Sequence, residues 1–212
     1  MIFTVAVDGP AAAGKGTISR AVAEAFGFAY LDTGSLYRAV GVKALEIGRG
    51  VIDQRIAARV AGNLSDTDIA RDDLRTAMAG QAASKVAAIP EVRGALLQFQ
   101  KDYARRDGGA VLDGRDIGTV ICPEAEVKIY VTASDEIRAE RRHKELVESK
   151  PELTVEQVLT DLRARDLRDS SRDTSPMRAA DDALLLDTTK LSIDAAVAEA
   201  MALIQERFEL ER

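Results

Sequence analysis

The stretch Gly9-Pro10-Ala11-Ala12-Ala13-Gly14-Lys15-Gly16-Thr17 directly follows an apolar run at residues 2–7, and a helical pattern leaves it from Thr17 to about residue 26. A strand, a glycine-rich turn with this spacing and a lysine, and then a helix are typical of a phosphate-binding loop. Gly9 and Gly14 allow backbone conformations in which successive N–H groups point at a polyphosphate. The helix start adds partial positive charge, and Lys15 can reach the outer phosphates. The stretch therefore predicts a nucleoside triphosphate site formed by all nine residues.

The composition indicates one medium-sized domain with a core of aliphatic side chains. Of the 212 residues, 46% are hydrophobic and only 4% aromatic, and none is tryptophan; parallel sheets and their covering helices have such cores. The net charge of −6 argues against general nucleic-acid binding, which depends on neutralising phosphates. The single cysteine, Cys122, excludes an internal disulfide, and no apolar run has the length of a membrane span. We therefore expect a soluble, cytoplasmic monomer with no nucleic-acid or membrane partner.

Five short apolar runs separated by helical patterns predict a parallel sheet of five strands with helices on both faces. The runs lie at residues 2–7, 28–31, 110–112, 127–131 and 183–186. Three of them end in a polar residue that an active site could use, namely Asp8, Asp32 and Asp113. Because ligands of open parallel sheets bind at the carboxyl ends of the strands, these aspartates mark the expected site.

Several other polar residues have ordinary structural interpretations. Ser134 and Thr154 each precede a helical pattern and predict helix starts. The mixed charges at residues 138–148 are typical of a solvated helix face. A solvated position is also the common outcome for any single arginine of the segment that holds Arg165, Arg168 and Arg172.

The phosphate-binding loop alone does not separate a GTPase, an ATPase motor and a small-molecule kinase. No Asn-Lys-x-Asp guanine-binding motif follows a strand, and the chain is short for a motor. Arg38 and Arg115 each follow a strand end and a glycine, which should direct their guanidinium groups into the crevice. Since a guanidinium binds a phosphate through two parallel hydrogen bonds, an acceptor that is itself a phosphate monoester would explain both arginines.

Four strings, in this order, carry a resemblance to a known family. They are Asp8 to Thr17; Asp32-Thr33-Gly34-Ser35-Leu36-Tyr37-Arg38; Ala82-Ala83-Ser84-Lys85-Val86-Ala87 with Val92-Arg93; and Asp113-Gly114-Arg115-Asp116-Ile117-Gly118-Thr119-Val120. The stretch 165–172 and Leu186-Asp187-Thr188-Thr189 extend the match over nearly the whole chain. The sequence resembles bacterial cytidylate kinases of the nucleoside monophosphate kinase superfamily. The resemblance implies an α/β P-loop kinase fold in one domain, 1–212, with a nucleoside-monophosphate-binding insertion within 37–109 and a lid at 144–176.

The resemblance also implies transfer of the γ-phosphoryl group of ATP to CMP and dCMP, with Mg²⁺. The residues that match those around CMP in the family are Thr33, Tyr37, Arg38, Ser84, Arg93, Arg115, Asp116, Arg165, Asp169 and Arg172. Four residues would be catalytic: Lys15, Arg115, Arg165 and Arg172. Because Gly16 stands where the loop usually has Ser or Thr, the metal would be held mainly by water and ATP oxygens, with Thr17 and Asp113 as candidate ligands.

The acceptor residues suit the chemistry of cytosine. Ser84 and Asp116 can accept from its exocyclic amino group, and Arg93 can donate to its ring nitrogen and carbonyl acceptors. Uracil has a carbonyl in place of the amino group, so it would leave these buried polar groups unpaired. Asp169 could accept from ribose hydroxyls, and Arg38 is suited to the phosphate of the acceptor.

One interval departs from the family pattern. Many bacterial members carry a small β-rich insertion between the equivalents of Leu64 and Ala83, but residues 65–75 here lack the alternating apolar residues of three strands. We therefore expect a shortened insertion. Ser84 and Arg93 lie beyond the gap.

Two alternatives remain open. The first is another small-molecule kinase of the same fold, acting on UMP, shikimate or a coenzyme precursor, which would differ in its choice of acceptor. The second is a nucleotide-dependent switch or binding module, which would bind ATP without transferring its phosphoryl group to any monophosphate. The second alternative leaves the Asp-Gly-Arg-Asp string unexplained.

Overall fold

The computed structural model describes residues 1–148 and 150–210, and its centre is an all-parallel sheet with the strand order β2-β3-β1-β4-β5. The strands are β1 (Thr4–Asp8), β2 (Ala29–Asp32), β3 (Ala110–Asp113), β4 (Val127–Thr132) and β5 (Leu184–Asp187). All five predicted strands are thus confirmed, with boundaries that move by at most two residues.

The strand register brings Asp8, Asp32 and Asp113 to one edge of the sheet. Asp32 on β2 is paired with Asp113 on β3, and Asp113 is paired with Val7, the neighbour of Asp8 on β1. Because the strands are parallel, their carboxyl ends coincide at this edge. Polar groups and the loops that follow these strands therefore converge there.

The helices account for most of the remaining residues. They are α1 (Lys15–Phe26), α2 (Thr33–Ile47), α3 (Gln54–Ala61), α4 (Asp66–Ile69), α5 (Ala77–Val86), α6 (Pro90–Ala104), α7 (Asp135–Leu146), α8 (Val155–Ser171) and α9 (Ile193–Leu210). A 3₁₀ turn spans Asp72–Arg75, and a π-helical turn spans Ile117–Ile121. The predicted helix starts are confirmed, since Ser134 accepts from the backbone of α7 and Thr154 forms a capping box on α8.

Alternation along the strands divides the core between the two faces of the sheet. Val5 and Val7 pack with residues of α1 and α9 on one face, including Ile18 and Ile204. Ala6, together with Leu31 on β2 and Leu112 on β3, packs on the other face with α6 and the π-helical turn. Since successive side chains of a strand point to opposite faces, a buried strand needs helices on both sides, as predicted.

Two groups of helices extend beyond the carboxyl edge of the sheet. Residues 37–109, all of which the structure describes, contain helices and turns but no strand, and α2, α3, α5 and α6 share a core of their own. The pair α7 and α8 has a separate small core. The division into an insertion at 37–109 and a lid at 144–176 stays a prediction. Within residues 1–148 and 150–210, the helices are too short or too polar to cross a membrane.

Candidate active site

A cleft of about 620 Å³ opens at the carboxyl edge of the sheet. Its walls come from the phosphate-binding loop, the ends of β2 and β3, α5, α7 and α8. All ten residues that the resemblance assigned to the acceptor line this cleft. They come from five separate stretches of the chain, and the fold brings them into the same cleft as the phosphate-binding loop.

The phosphate-binding loop depends on two glycines for its shape. Gly9 has φ 139°, and a Cβ there would lie 1.9 Å from the carbonyl oxygen of Val131 on β4. Gly14 has φ 99° and stands at the N-cap of α1. Six of the nine predicted loop residues line the cleft: Ala11, Ala12, Gly14, Lys15, Gly16 and Thr17. Gly9, Pro10 and Ala13 lie behind them, where they shape the loop.

Lys15 is a buried cation, with 6% of its surface exposed. Its Nζ donates to the carbonyl oxygen of Pro10 at 2.8 Å. Burial, followed by the nearby charge of Arg115, lowers the pKa of Lys15 to about 7. A bound polyphosphate would reverse this effect, because an anion favours the charged form of the amine.

The strand-end aspartates have different roles. Asp8 does not line the cleft; its carboxylate accepts from the backbone N–H groups of Ile117 and Gly118, both at 2.8 Å, and so anchors the π-helical turn. Burial raises the pKa of Asp8 to about 7 despite these two hydrogen bonds. Asp113 does line the cleft and accepts from the Tyr30 hydroxyl at 2.7 Å.

The start of α2 places Arg38 and Thr33 at the cleft. Asp32 caps the helix by accepting from Ser35 N at 3.1 Å, and the same carboxylate forms an ion pair with Arg38. Thr33 Oγ1 donates to the carbonyl oxygen of Asp113 at 2.7 Å, which joins α2 to the end of β3. The helix start is therefore tied to the sheet edge through two strand ends.

A first ionic cluster centres on Asp116. Its carboxylate is paired with Arg93, and Arg172 Nη2 lies 3.5 Å from the other carboxylate oxygen. The Arg93 guanidinium also lies over the Tyr37 ring, 5.6 Å from the ring centroid. Burial raises the pKa of Asp116, although the surrounding arginines oppose the shift.

A second ionic cluster centres on Asp169 of α8. Ser84 Oγ donates to one carboxylate oxygen at 2.6 Å, and Arg115 Nε approaches the other at 3.3 Å. Arg165 Nε lies 3.7 Å from that second oxygen. Burial alone would raise the pKa of Asp169, but Arg115 and Arg165 outweigh it and hold the pKa below its usual value.

Several cleft residues escaped the sequence analysis. Arg20, Arg75 and Arg142 also line the cleft, and Arg142 Nη2 donates to the carbonyl oxygen of Arg75 at 3.4 Å. The expectation of a solvated helix face at residues 138–148 is wrong for Arg138, which is 3% exposed. Arg141 and Arg142 lie three and four residues after Arg138, and the three therefore share one side of α7. This spacing could have indicated that the side faces the protein rather than solvent.

The geometry agrees with comparisons to known proteins. The family model described as cytidylate kinase matches residues 5–206. The chain belongs to the cytidylate kinase family. A cytidylate kinase of Cereibacter sphaeroides is 62% identical over 207 residues, which cover 98% of this chain and 97% of the relative. A cytidylate kinase of Paramagnetospirillum magneticum is 54% identical, with 96% of this chain and 98% of the relative covered.

Solved structures support the fold of this cytidylate kinase family member. A gluconokinase from Sinorhizobium meliloti 1021 matches with a TM-score of 0.52 and 16% identity, covering 99% of this chain and 96% of that chain. The P-loop kinase fold predicted from the sequence is thereby confirmed. As a member of the family the chain is an ATP-dependent kinase with nucleotide substrates.

Proposed function

We propose that this chain transfers the γ-phosphoryl group of ATP to CMP or dCMP, giving ADP and CDP or dCDP. The observation that carries the proposal is the shared cleft. The phosphate-binding loop with Lys15 and the two ionic clusters around Asp116 and Asp169 line the same cleft. A phosphoryl donor and a charged acceptor could therefore meet within it.

Buried donors that make no hydrogen bond favour an anionic acceptor. Arg38 Nε, Arg165 Nε and Arg172 Nη2 have no hydrogen-bond partner in the part of the chain that the structure describes, although the last two lie 3.7 and 3.5 Å from carboxylate oxygens of Asp169 and Asp116. A buried donor without an acceptor costs about 1–3 kcal/mol. A phosphate monoester supplies several acceptor oxygens and negative charge, so it would satisfy these groups.

The polar groups of Ser84, Asp116 and Arg93 in the cleft fit cytosine. Ser84 and Asp116 are both nearly fully buried and can accept from an exocyclic amino group. A carboxylate has about four lone-pair sites, so Asp116 could accept from the base while Arg93 stays paired with it. Arg93 has further N–H groups for the acceptors of the base. Uracil would present a carbonyl to the same two acceptors.

The proposed reaction requires no general base. The attacking oxygen belongs to the phosphate of the acceptor and is already anionic at neutral pH. The chain's own contribution is then to align donor and acceptor and to stabilise the charge that spreads over the transferring group. We assign these tasks to Lys15, Arg115, Arg165 and Arg172, and we propose that the segment 144–176 closes over the cleft and excludes water.

The loop and strand ends also suit a magnesium ion. Asp113 is a buried carboxylate beside Gly16, since a Cβ at Gly16 would lie 3.6 Å from Asp113 Oδ2. Carboxylate and hydroxyl oxygens are the ligands that Mg²⁺ prefers, so Asp113 and Thr17 would hold it, directly or through water. The ion would neutralise charge on the phosphates of ATP.

An acceptor panel tests the proposal. ADP release from ATP is measured in the presence of CMP, dCMP, UMP, AMP, GMP or shikimate, and we expect CMP and dCMP to stimulate it far more than the others. A Lys15→Met preparation purified in parallel controls for contaminating kinases. An equal response to UMP would refute the assignment of cytosine. ATP binding without transfer to any acceptor would favour a switch or binding module instead.

Two further features complete the proposal. We also propose that the protein acts as a monomer. We place the protein in the cytoplasm, where ATP is available as a donor. Sedimentation at the enzyme concentration used for the acceptor panel would test the first point.

A further inference from the structure

The side of the phosphate-binding loop that faces away from the cleft is held by a buried arginine of α7. Arg138 Nη1 donates to the carbonyl oxygen of Ala11 at 3.2 Å, and the same nitrogen lies 2.7 Å from the carboxylate of Asp166. Its Nε donates to the carbonyl oxygen of Ala133 at 3.1 Å, and its Nη2 donates to Asp135 at 2.5 Å. This guanidinium therefore connects the loop to both helices of the α7–α8 pair.

A threonine holds a second carbonyl of the same loop. Thr188 follows the last residue of β5 and is 2% exposed. Its hydroxyl donates to two carbonyl oxygens, that of Ala13 at 3.0 Å and that of Thr132 at 3.1 Å, so the single hydrogen is shared between them. Arg141 donates through Nη1 to the Thr188 hydroxyl at 2.9 Å and through Nη2 to the Thr188 carbonyl at 2.8 Å.

The contact from Arg141 decides where the hydroxyl hydrogen of Thr188 goes. A hydroxyl has one hydrogen and two lone pairs. Because Arg141 can only donate, it occupies a lone pair of Thr188 Oγ1 and leaves the hydrogen for the carbonyls of Ala13 and Thr132. Thr188 is thus set as a donor to the back of the loop.

Donors behind the loop affect the N–H groups in front of it. In a trans peptide the C=O and N–H of one unit are planar and point in opposite directions. The carbonyl of Ala11 shares a unit with the N–H of Ala12, and the carbonyl of Ala13 shares one with the N–H of Gly14. Ala12 and Gly14 line the cleft. A hydrogen bond to each carbonyl therefore directs the N–H of that unit toward the cleft, where a phosphate would bind, and polarises it.

We propose that Thr188, supported by Arg141 and acting beside Arg138, is a positioning residue for nucleotide binding, which orients the phosphate-binding loop from behind. The inference rests on the proposed use of this loop to bind ATP. It gives the end of β5, which lines no part of the cleft, a role in the affinity for the phosphoryl donor and its product ADP. The acceptor side should be independent of it.

The test replaces the hydroxyl of Thr188 while keeping its shape. ADP affinity is measured by titration calorimetry for the unmodified chain, Thr188→Val and Thr188→Ser, and the KM for CMP is measured for each. Thr160→Val is the matched control, because Thr160 also donates to a backbone carbonyl but lies exposed on α8. All measurements are made below the melting temperature of each variant.

We expect Thr188→Val to bind ADP about tenfold more weakly, the value of one hydrogen bond, with the KM for CMP unchanged within about twofold. Thr188→Ser and Thr160→Val should bind ADP as the unmodified chain does. Unchanged ADP affinity in Thr188→Val would overturn the inference, as would equal losses in the valine and serine variants. A parallel loss of ADP and CMP binding would also overturn it, since that indicates general loosening.

A second variant keeps the inference testable if Thr188→Val does not fold. Arg141 is only partly buried, so Arg141→Met keeps the packing of its stem and removes both donors to Thr188. We expect it to weaken ADP binding in the same direction and to leave the KM for CMP unchanged; wild-type ADP affinity in this variant would contradict the inference. Failure of the unmodified chain to bind ADP would overturn the proposed function itself, and the inference with it.

Discussion

Replacing Arg93 by methionine should destabilise the protein by leaving Asp116 with too little positive charge. Arg93 and Asp116 are 6% and 5% exposed and form a buried ion pair. Removing one partner of a buried pair costs about 3–5 kcal/mol. Arg172 Nη2 remains 3.5 Å from Asp116, so we expect the low end, about 3 kcal/mol. For a chain of this size that corresponds to a melting temperature lower by about 6–12 °C.

The loss should depend on pH in a defined direction. Burial already raises the pKa of Asp116, and removal of Arg93 raises it further. A carboxyl group whose pKa is higher in the folded state binds more protons there, so stability is lost as the pH rises through the folded-state pKa. The difference between Arg93→Met and the unmodified chain should therefore be largest near neutral pH and shrink as the pH falls toward about 4.

Urea denaturation and acceptor kinetics together test this explanation. The double variant Arg93→Met/Asp116→Asn should recover most of the free energy of unfolding, because the buried charge is gone, but it should not recover the KM for CMP. Arg105→Met is the control, because its pair with Glu126 is more exposed and should be worth about 1 kcal/mol or less. Equal destabilisation of the single and double variants, or a loss that does not vary with pH, would refute the reasoning. Loss of ATP affinity in Arg93→Met would indicate that Arg93 belongs to the donor subsite rather than to the acceptor subsite.

Two other predictions concern the phosphate-binding loop. Because the pKa of Lys15 is lowered to about 7, ADP binding at pH 8 should take up a proton, which calorimetry in buffers of different ionisation enthalpy detects; Lys15→Arg should lack this uptake, and an unaltered uptake would assign the proton elsewhere. Gly9→Ala should lose about 2–4 kcal/mol in urea denaturation, because its Cβ would meet the carbonyl of Val131 at 1.9 Å. The control Gly94→Ala, with open space at the Cβ position in α6, should gain about 0.5–1 kcal/mol; comparable losses in both variants would contradict the steric argument.

The sheet could be predicted from the sequence because its signal is local. The run at residues 127–131 has β-branched residues at alternate positions, and the structure buries Val127, Ile129 and Val131 in the core on one face of the sheet. The phosphate-binding loop is equally local, since its spacing encodes the strand, turn and helix together. The residues proposed for the acceptor could be predicted only through the family resemblance, because they are spread from Thr33 to Arg172 and meet in one cleft only in the folded chain.

The features that escaped prediction depend on partners distant in sequence. The π-helical turn at Ile117–Ile121 is held by Asp8, more than one hundred residues earlier. Arg138 has the sequence context of a surface residue, and its burial follows from acceptors on the loop, on α7 and on α8. The periodicity of α7 alone could not reveal that the carbonyl oxygen of Ala11 lies beside Arg138.

The two ionic clusters also determine what charge the acceptor pocket can tolerate. Four arginines, at positions 93, 115, 165 and 172, share two carboxylates, Asp116 and Asp169, which leaves two uncompensated positive charges. A phosphate monoester carries about −1.5 to −2 at neutral pH. A nucleoside monophosphate would therefore bring the pocket close to electroneutrality, whereas an uncharged nucleoside would leave buried cations repelling one another. We therefore expect these two clusters to favour a phosphorylated ligand over an uncharged nucleoside.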